Sequence, residues 1–168
     1  MKTSMKILTS SMKLRTMTSL ENVTLNIAVT GESGSGKSTF VNALLGLDGD
    51  GDHHEGHQIL PPHQPNVKIW DLSGIGTPNF KAKKYLKEVK FETYDFFIII
   101  GTVRFQENNI MLAKEIQKMK KMFYFVRSKI DNDIRAEAWK KNYREEDLLS
   151  KMRHNCEENL KTVGSPKV

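Results

Sequence analysis

Eight consecutive residues, Gly31-Glu32-Ser33-Gly34-Ser35-Gly36-Lys37-Ser38, carry the clearest chemistry in this chain. They fit the pattern of a glycine, four residues, then glycine, lysine and serine or threonine, which marks a phosphate-binding loop when it joins a strand to a helix. The apolar run Leu25 to Thr30 before it reads as a buried strand, and Thr39 to Leu45 after it reads as a helix. Glycines allow the main chain to wrap an anion closely, and the start of a helix directs unpaired N–H groups at it. In that setting Lys37 reaches the β- and γ-phosphates and the Ser38 hydroxyl ligates Mg²⁺. Gly31, Glu32, Ser33, Gly34, Ser35, Gly36 and Thr39 complete the expected contact surface.

The loop alone does not choose a nucleotide, because kinases, transport ATPases and GTPases share it. A second segment addresses the base. Phe123-Tyr124-Phe125-Val126 reads as a strand and is followed by Ser128-Lys129-Ile130-Asp131. A carboxylate at Asp131 can accept from both N1–H and the exocyclic amine of guanine. Adenine has an acceptor at N1 and no amine at C2, and polar mismatches of this kind discriminate by about 10⁴. The Lys129 stem can lie along the base. Between the two segments, Val67-Lys68-Ile69-Trp70-Asp71-Leu72-Ser73-Gly74 reads as a strand ending in Asp-x-x-Gly. Asp71 there is expected to hold Mg²⁺ through water, and the Gly74 N–H to sense the γ-phosphate. Lys37 and Gly74 are thus the expected catalytic residues, Ser38 and Asp71 the metal pair, and Ser128, Lys129 and Asp131 the base-binding set.

These residues together resemble the immunity-related (interferon-inducible) GTPase family. The likeness runs through Asn22 to Ser38, Trp70 to Gly76, Tyr94 to Ile100 and Phe123 to Asp131. It implies an α/β P-loop NTPase fold of Ras-like type, with a mostly parallel sheet and helices on both faces. It also implies binding of GTP and GDP with Mg²⁺, slow hydrolysis helped by self-association or by related GTPases, and a cytoplasmic protein acting in innate defence on intracellular membranes. The departures are equally specific. No threonine occurs between Thr39 and Thr77, so the family's switch threonine is missing, and the stretch 46–66 is too short for a full second strand. Ile75 follows Gly74, so no Ras-like glutamine is available to position water; the family lacks that residue too. Measured against the family, residues 1–22 form a basic arm or helix. Residues 23–168 are expected to form a G domain incomplete at its C-terminal edge, lacking the family's last strand and C-terminal helical domain.

Composition sets outer bounds. The chain has 168 residues, the length of one domain, and 38% of them are hydrophobic, enough for one core. Cys156 is the single cysteine, which excludes an internal disulfide and fits a reducing compartment. The net charge is +6. Lys81, Lys83, Lys84, Lys87 and Lys90 crowd one helical stretch and Lys114, Lys118, Lys120 and Lys121 another; solvated faces are expected, with contact to anionic lipid as the alternative. No nucleic-acid recognition module occurs. Met1 to Ser19 lacks acidic residues and spaces Met1, Met5, Leu8 and Met12 as a helix would, the pattern of a basic amphipathic leader or of a frayed arm. The segment His53 to His57 is not a His-Glu-x-x-His site, since Gln58 stands where the second histidine is needed, and it reads as a surface loop.

Strands and helices alternate from Leu25 onward. Strands are expected at 67–72, 95–101 and 122–127, helices near 81–90, 106–121 and 147–161, and a polar connection over 131–146. Ligands of such sheets lie beyond the carboxyl ends of the strands, where all three motifs fall. Three functions are compatible with this arrangement: a GTP hydrolase; a catalytically dead GTPase-like regulator or fragment that acts through protein contacts; and, less well supported because no Leu-Ser-Gly-Gly-Gln signature occurs, a P-loop ATPase or kinase.

Overall fold

The computed structural model describes residues 23–46, 58–59, 61, 64–75, 80–102 and 107–164. The basic N-terminal segment and the histidine-rich loop lie outside the described residues. Five strands form one sheet in the order β2-β3-β1-β4-β5 among the described residues. These are β1 (Leu25–Gly31), β2 (Gln58–Ile59), β3 (Val67–Asp71), β4 (Phe96–Gly101) and β5 (Met122–Arg127). The helices are α1 (Lys37–Leu45), α2 (Ala82–Glu88), α3 (Glu107–Lys118), α4 (Ile130–Glu137) and α5 (Glu145–Val163). β1, β3, β4 and β5 run parallel, while β2 is a two-residue antiparallel pairing on β3. The second strand, expected to be largely missing, thus survives as that short ladder.

The apolar runs are continuous because the central strands are buried on both faces. On one face Ile27 and Val29 of β1, Ile69 of β3 and Ile98 and Ile100 of β4 pack with Val41 and Leu45 of α1. On the other, Ala28, Phe97, Ile99 and Phe123 pack with Tyr85 and Leu86 of α2, Leu112, Ala113 and Ile116 of α3, and Val163 of α5. Side chains alternate between faces with the period of two that strands impose. Each fully buried aliphatic contributes about 1.5–3 kcal/mol of transfer free energy, so these rows hold the four parallel strands in register.

That register sets the site. Val29 pairs with Asp71, Gly31 with Ile100 and Gly101 with Arg127. The carboxyl ends of β1, β3, β4 and β5 therefore finish along one edge. From β1 the chain runs to β3 on one side and later to β4 on the other, so the order reverses at β1, where α/β sheets bind their ligands.

Several expectations shift in detail. The stretch expected as a polar connection contains α4. None of its residues is fully buried, and its apolar side is only the half-buried pair Ile130 and Ile134, too short a pattern to announce it. What favours it is charge: Asp131 and Asp133 lie in its first turn and Arg135 in its last, complementing the helix dipole. α3 ends at Lys118, and Lys120 just beyond takes a left-handed φ of 56° that a helix cannot continue. α5 starts at Glu145, ahead of the expected 147. The lysines at 81, 83, 84, 87 and 90 are all exposed. Trp70 packs edge-on against Tyr94 and donates to Asn26 Oδ1 at 3.2 Å, whereas Trp139 is exposed. β5 is an edge strand among the described residues, and its Met122 and Tyr124 are open to solvent on the α1 face.

One hydrogen-bonded junction ties α2 to the site edge. The Tyr85 hydroxyl donates to the Ser73 carbonyl at 2.8 Å and lies 2.6 Å from the buried Thr30 Oγ1. Tyr85→Phe leaves both groups without this partner and is expected to cost about 1–3 kcal/mol, measured by urea denaturation.

Candidate functional site

The loop between β1 and α1 has the backbone its glycines were expected to provide. Gly34 and Gly36 hold φ of 71° and 84°, and a Cβ at either would meet open space within 4 Å. The main chain is therefore open at both positions. Gly36 caps α1 in the left-handed conformation without a side-chain cap, so the first N–H groups of the helix remain for a ligand. Gly31 is constrained differently. Its φ is +155°, and a Cβ there would collide with the carbonyl oxygen of Ile100. Only glycine lets the chain leave β1 this close to β4.

Lys37 is buried, and its Nζ donates to the Glu32 carbonyl at 3.4 Å, which brings the ammonium back over the loop. Ser35 is fully buried, and its Oγ has no hydrogen-bond partner among the described residues. An unsatisfied hydroxyl inside a cradle of amides is the kind of group that a bound oxyanion satisfies. Glu32 contributes its carbonyl to this arrangement, while Ser33, Gly34, Ser38 and Thr39 are exposed on the rim.

At the end of β3, Asp71 is fully buried and its Oδ2 lies 3.5 Å from Ser38 Oγ. The donor set is one carboxylate and one hydroxyl, both hard oxygens. Among the described residues no cluster of three or more His, Cys, Asp or Glu forms a metal site. The pair fits Mg²⁺, which commonly takes one or two protein oxygens and completes its octahedron with water and phosphate. Gly74 follows three residues later and packs on the phosphate loop: a Cβ there would lie 3.2 Å from Ser33 N. The Ile75 N–H donates to the Gly31 carbonyl at 3.1 Å, and Asn108 Nδ2 of α3 donates to the Ile75 carbonyl at 3.1 Å. The segment after β3 is thus pinned against the phosphate loop from two sides.

The segment after β5 is joined to the same loop. Ser128 donates its N–H to the Gly101 carbonyl at 2.9 Å and its Oγ–H to the Ser35 carbonyl at 2.6 Å. This side-chain bond links residues 93 positions apart. Lys129 adopts a left-handed φ of 55° and caps α4. A cleft of about 390 Å³ opens between the two loops, lined by Ser33, Gly34, Thr102, Lys129, Asn132 and Asp133. Ser33, Gly34 and Lys129 were expected there. Asp131 is not part of the lining. It lies in the first turn of α4 with a side chain 72% exposed and paired to Arg135 at 2.6 Å.

Thr102, Asn132 and Asp133 are cleft residues that pattern reasoning missed. Thr102 follows a strand that reads as pure core, and its only signal was its place at a carboxyl end. Asp133 is held by Arg127 Nη2 at 2.8 Å across the β5–α4 junction. Arg127 also lies near Cys156 of α5, whose thiol is pushed up by burial against the smaller lowering effect of this guanidinium.

The chain matches a known protein family, curated relatives and solved structures. Residues 5–167 match the Interferon-inducible GTPase (IIGP) family. The chain is 46% identical over 165 residues to mouse (Mus musculus) Interferon-gamma-inducible GTPase 10, covering 89% of this chain and 39% of that one. It is 43% identical over 172 residues to mouse Interferon-inducible GTPase 1, covering 94% and 41%. It is 35% identical over 163 residues to rat (Rattus norvegicus) Immunity-related GTPase family M protein, covering 91% and 39%. The chain therefore spans about two fifths of the length of these curated relatives. Among solved structures, a variant of SsGBP superposes with a TM-score of 0.50 at 18% identity, over 89% of this chain and 50% of that one, a likeness of fold.

Gly31→Ala is expected to destabilise the protein by about 3 kcal/mol, through the collision with the Ile100 carbonyl and the loss of a glycine-only φ. Chemical denaturation of the variant beside Gly34→Ala, where there is space but the same sign of φ, separates the two contributions.

Proposed function

Because this chain belongs to the interferon-inducible, immunity-related GTPase family, we propose that it binds GTP and GDP with Mg²⁺ and hydrolyses GTP slowly. The observation that carries this reading is the Ser128–Ser35 hydrogen bond. It joins the loop suited to phosphate and the loop suited to a base into one continuous cleft. A nucleotide is the ligand class that joins an anion to a flat polar base.

Each part of the chain has a role. The loop amides from Gly31 to Ser38 and the α1 N-terminus hold the phosphates, and the Lys37 ammonium balances charge that builds on the β–γ bridge. Ser38 and Asp71 are the residues suited to hold Mg²⁺, which supplies charge neutralisation at the phosphates when bound. Gly74, pinned on the phosphate loop, is suited to donate its N–H to the γ-phosphate. Ser128 fixes the base loop, Lys129 lies along the base, and Asp131 accepts from the guanine edge. No glutamine follows Gly74, so orientation of the attacking water falls to a second protein molecule. Turnover is then slow alone and rises with protein concentration.

The family assignment also supports association with copies of itself or with related GTPases, and peripheral contact with intracellular membranes from the cytoplasm. Among the described residues no helix is long and apolar enough to cross a membrane. The exposed lysines of α2 suit anionic lipid. We assign residues 23–168 to the G domain and 1–22 to a separate basic arm.

Lys37→Ala is expected to remove GDP and GTP binding measured by calorimetry while leaving the far-ultraviolet spectrum unchanged. Retained binding contradicts the role of the loop. Asp131→Asn presents an amide donor where guanine needs an acceptor but xanthine offers a carbonyl. It is expected to shift preference from GDP to XDP by about 10²-fold, less than the 10⁴ of a sealed site because Asp131 is solvent-exposed. Competition titration of the two nucleotides measures it. Phosphate release that stays at zero at all protein concentrations, with nucleotide bound, supports the regulator reading instead.

A further inference from the structure

The carboxylate assigned to guanine is already engaged by a group that resembles guanine. Arg135 Nη2 donates to Asp131 Oδ2 at 2.6 Å and to Asn132 Oδ1 at 2.6 Å, and its Nε donates to the Asp131 carbonyl at 3.3 Å. A guanidinium offers planar N–H donors in a fixed fork, matched to a carboxylate. The N1–H and C2 amine of guanine offer the same pattern: two adjacent donors in one plane. Arg135 sits one helical turn beyond Asp131, on the exposed side of α4, and Asp131 is absent from the cleft lining. Asn132, which does line the cleft, is held by the same fork.

We propose that Arg135 is a specificity-setting competitor for the base site: its guanidinium engages Oδ2 of Asp131, one of the two carboxylate oxygens that the guanine donor edge takes, so guanine binds by displacing that donor. This rests on Asp131 being the base reader. A ligand that makes no use of Asp131 leaves the ion pair intact and bears no cost. Adenine is such a ligand, with an acceptor at N1 and no amine at C2. Arg135 therefore weakens guanine nucleotides selectively, and its removal widens the preference for guanine over adenine. An orienting residue would act in the opposite sense, since losing it would weaken guanine binding.

The magnitude follows from exposure. Both side chains are 72% exposed, and exposed ion pairs of this kind correspond to about a two- to fivefold change in affinity at most. Screening provides an independent signature. Between about 0.1 M and about 1 M salt the Debye length falls from about 10 Å to about 3 Å, so the competitor loses its hold.

The test uses the full chain and its Arg135→Ala and Arg135→Gln variants, titrated with GDP and with ADP at both salt concentrations, with thermal melts of each protein. The expected result is GDP binding about two- to fivefold tighter in both variants at low salt. ADP affinity is expected to be unchanged, and the GDP difference to vanish at high salt. Equal or weaker GDP binding by variants that melt like the wild type overturns the competition. Wild-type protein that binds no guanine nucleotide, or binds GDP and ADP alike, overturns the base-reading assignment first and the competition with it.

Discussion

Parallel registration of β1, β3, β4 and β5 is the constraint on which the rest depends. Three sequence segments separated by dozens of residues carry the proposed chemistry, and none has meaning until the strands before them end along one edge. The pairing of Val29 with Asp71, Gly31 with Ile100 and Gly101 with Arg127 achieves that. The buried rows of isoleucine, valine and phenylalanine enforce it, because a one-residue slip in a strand turns its core side chains to the wrong face. The collision awaiting any side chain at Gly31 marks how tightly β1 and β4 close at the point where the phosphate loop departs.

The two faces of the sheet divide the labour. One carries α2, α3 and α5 and supplies the supports of the site: Tyr85 under Ser73, and Asn108 on the Ile75 carbonyl. The other carries α1, which starts directly at the 31–38 loop and whose Val41 and Leu45 cover β1, β3 and β4. The phosphate side of the site is consequently built on buried, over-determined backbone. The base side rests on α4, a helix without a buried residue, secured chiefly by the Ser128 bridge and the Arg127–Asp133 pair. In the proposed reading, a stiff loop for the anion beside a more lightly anchored loop for the base is a natural division, since charge neutralisation demands fixed dipoles.

Much of this was legible in the sequence, for identifiable reasons. The Gly31–Ser38 pattern, flanked by an apolar run and a helical run, encodes its own backbone, because glycine accepts positive φ values at the least cost. β4 and β5 announced themselves as short apolar runs. What escaped was structure held by charge rather than burial. α4 offers only Ile130 and Ile134 as an apolar pair, so 131–146 read as a connection. Thr102 lies at the end of a core strand, and Asn132 and Asp133 sit beside the residue that drew attention, with no spacing of their own to mark them. The Ser128–Ser35 bond spans 93 positions and depends on the register of three strands, so no local pattern could announce it. The engagement of Asp131 by Arg135 obeys the ordinary i, i+4 rule of helices and could have been anticipated only once α4 was recognised.

The central claim is that the loops at 31–39 and 127–133 form one guanine-nucleotide site. Hydrogen exchange of the folded chain with saturating GDP, and separately with ADP, tests it most directly. Slowed exchange in both segments with GDP, and none in 127–133 with ADP, is the predicted result. Equal protection by the two nucleotides confined to 31–39, or no protection in either segment, contradicts it.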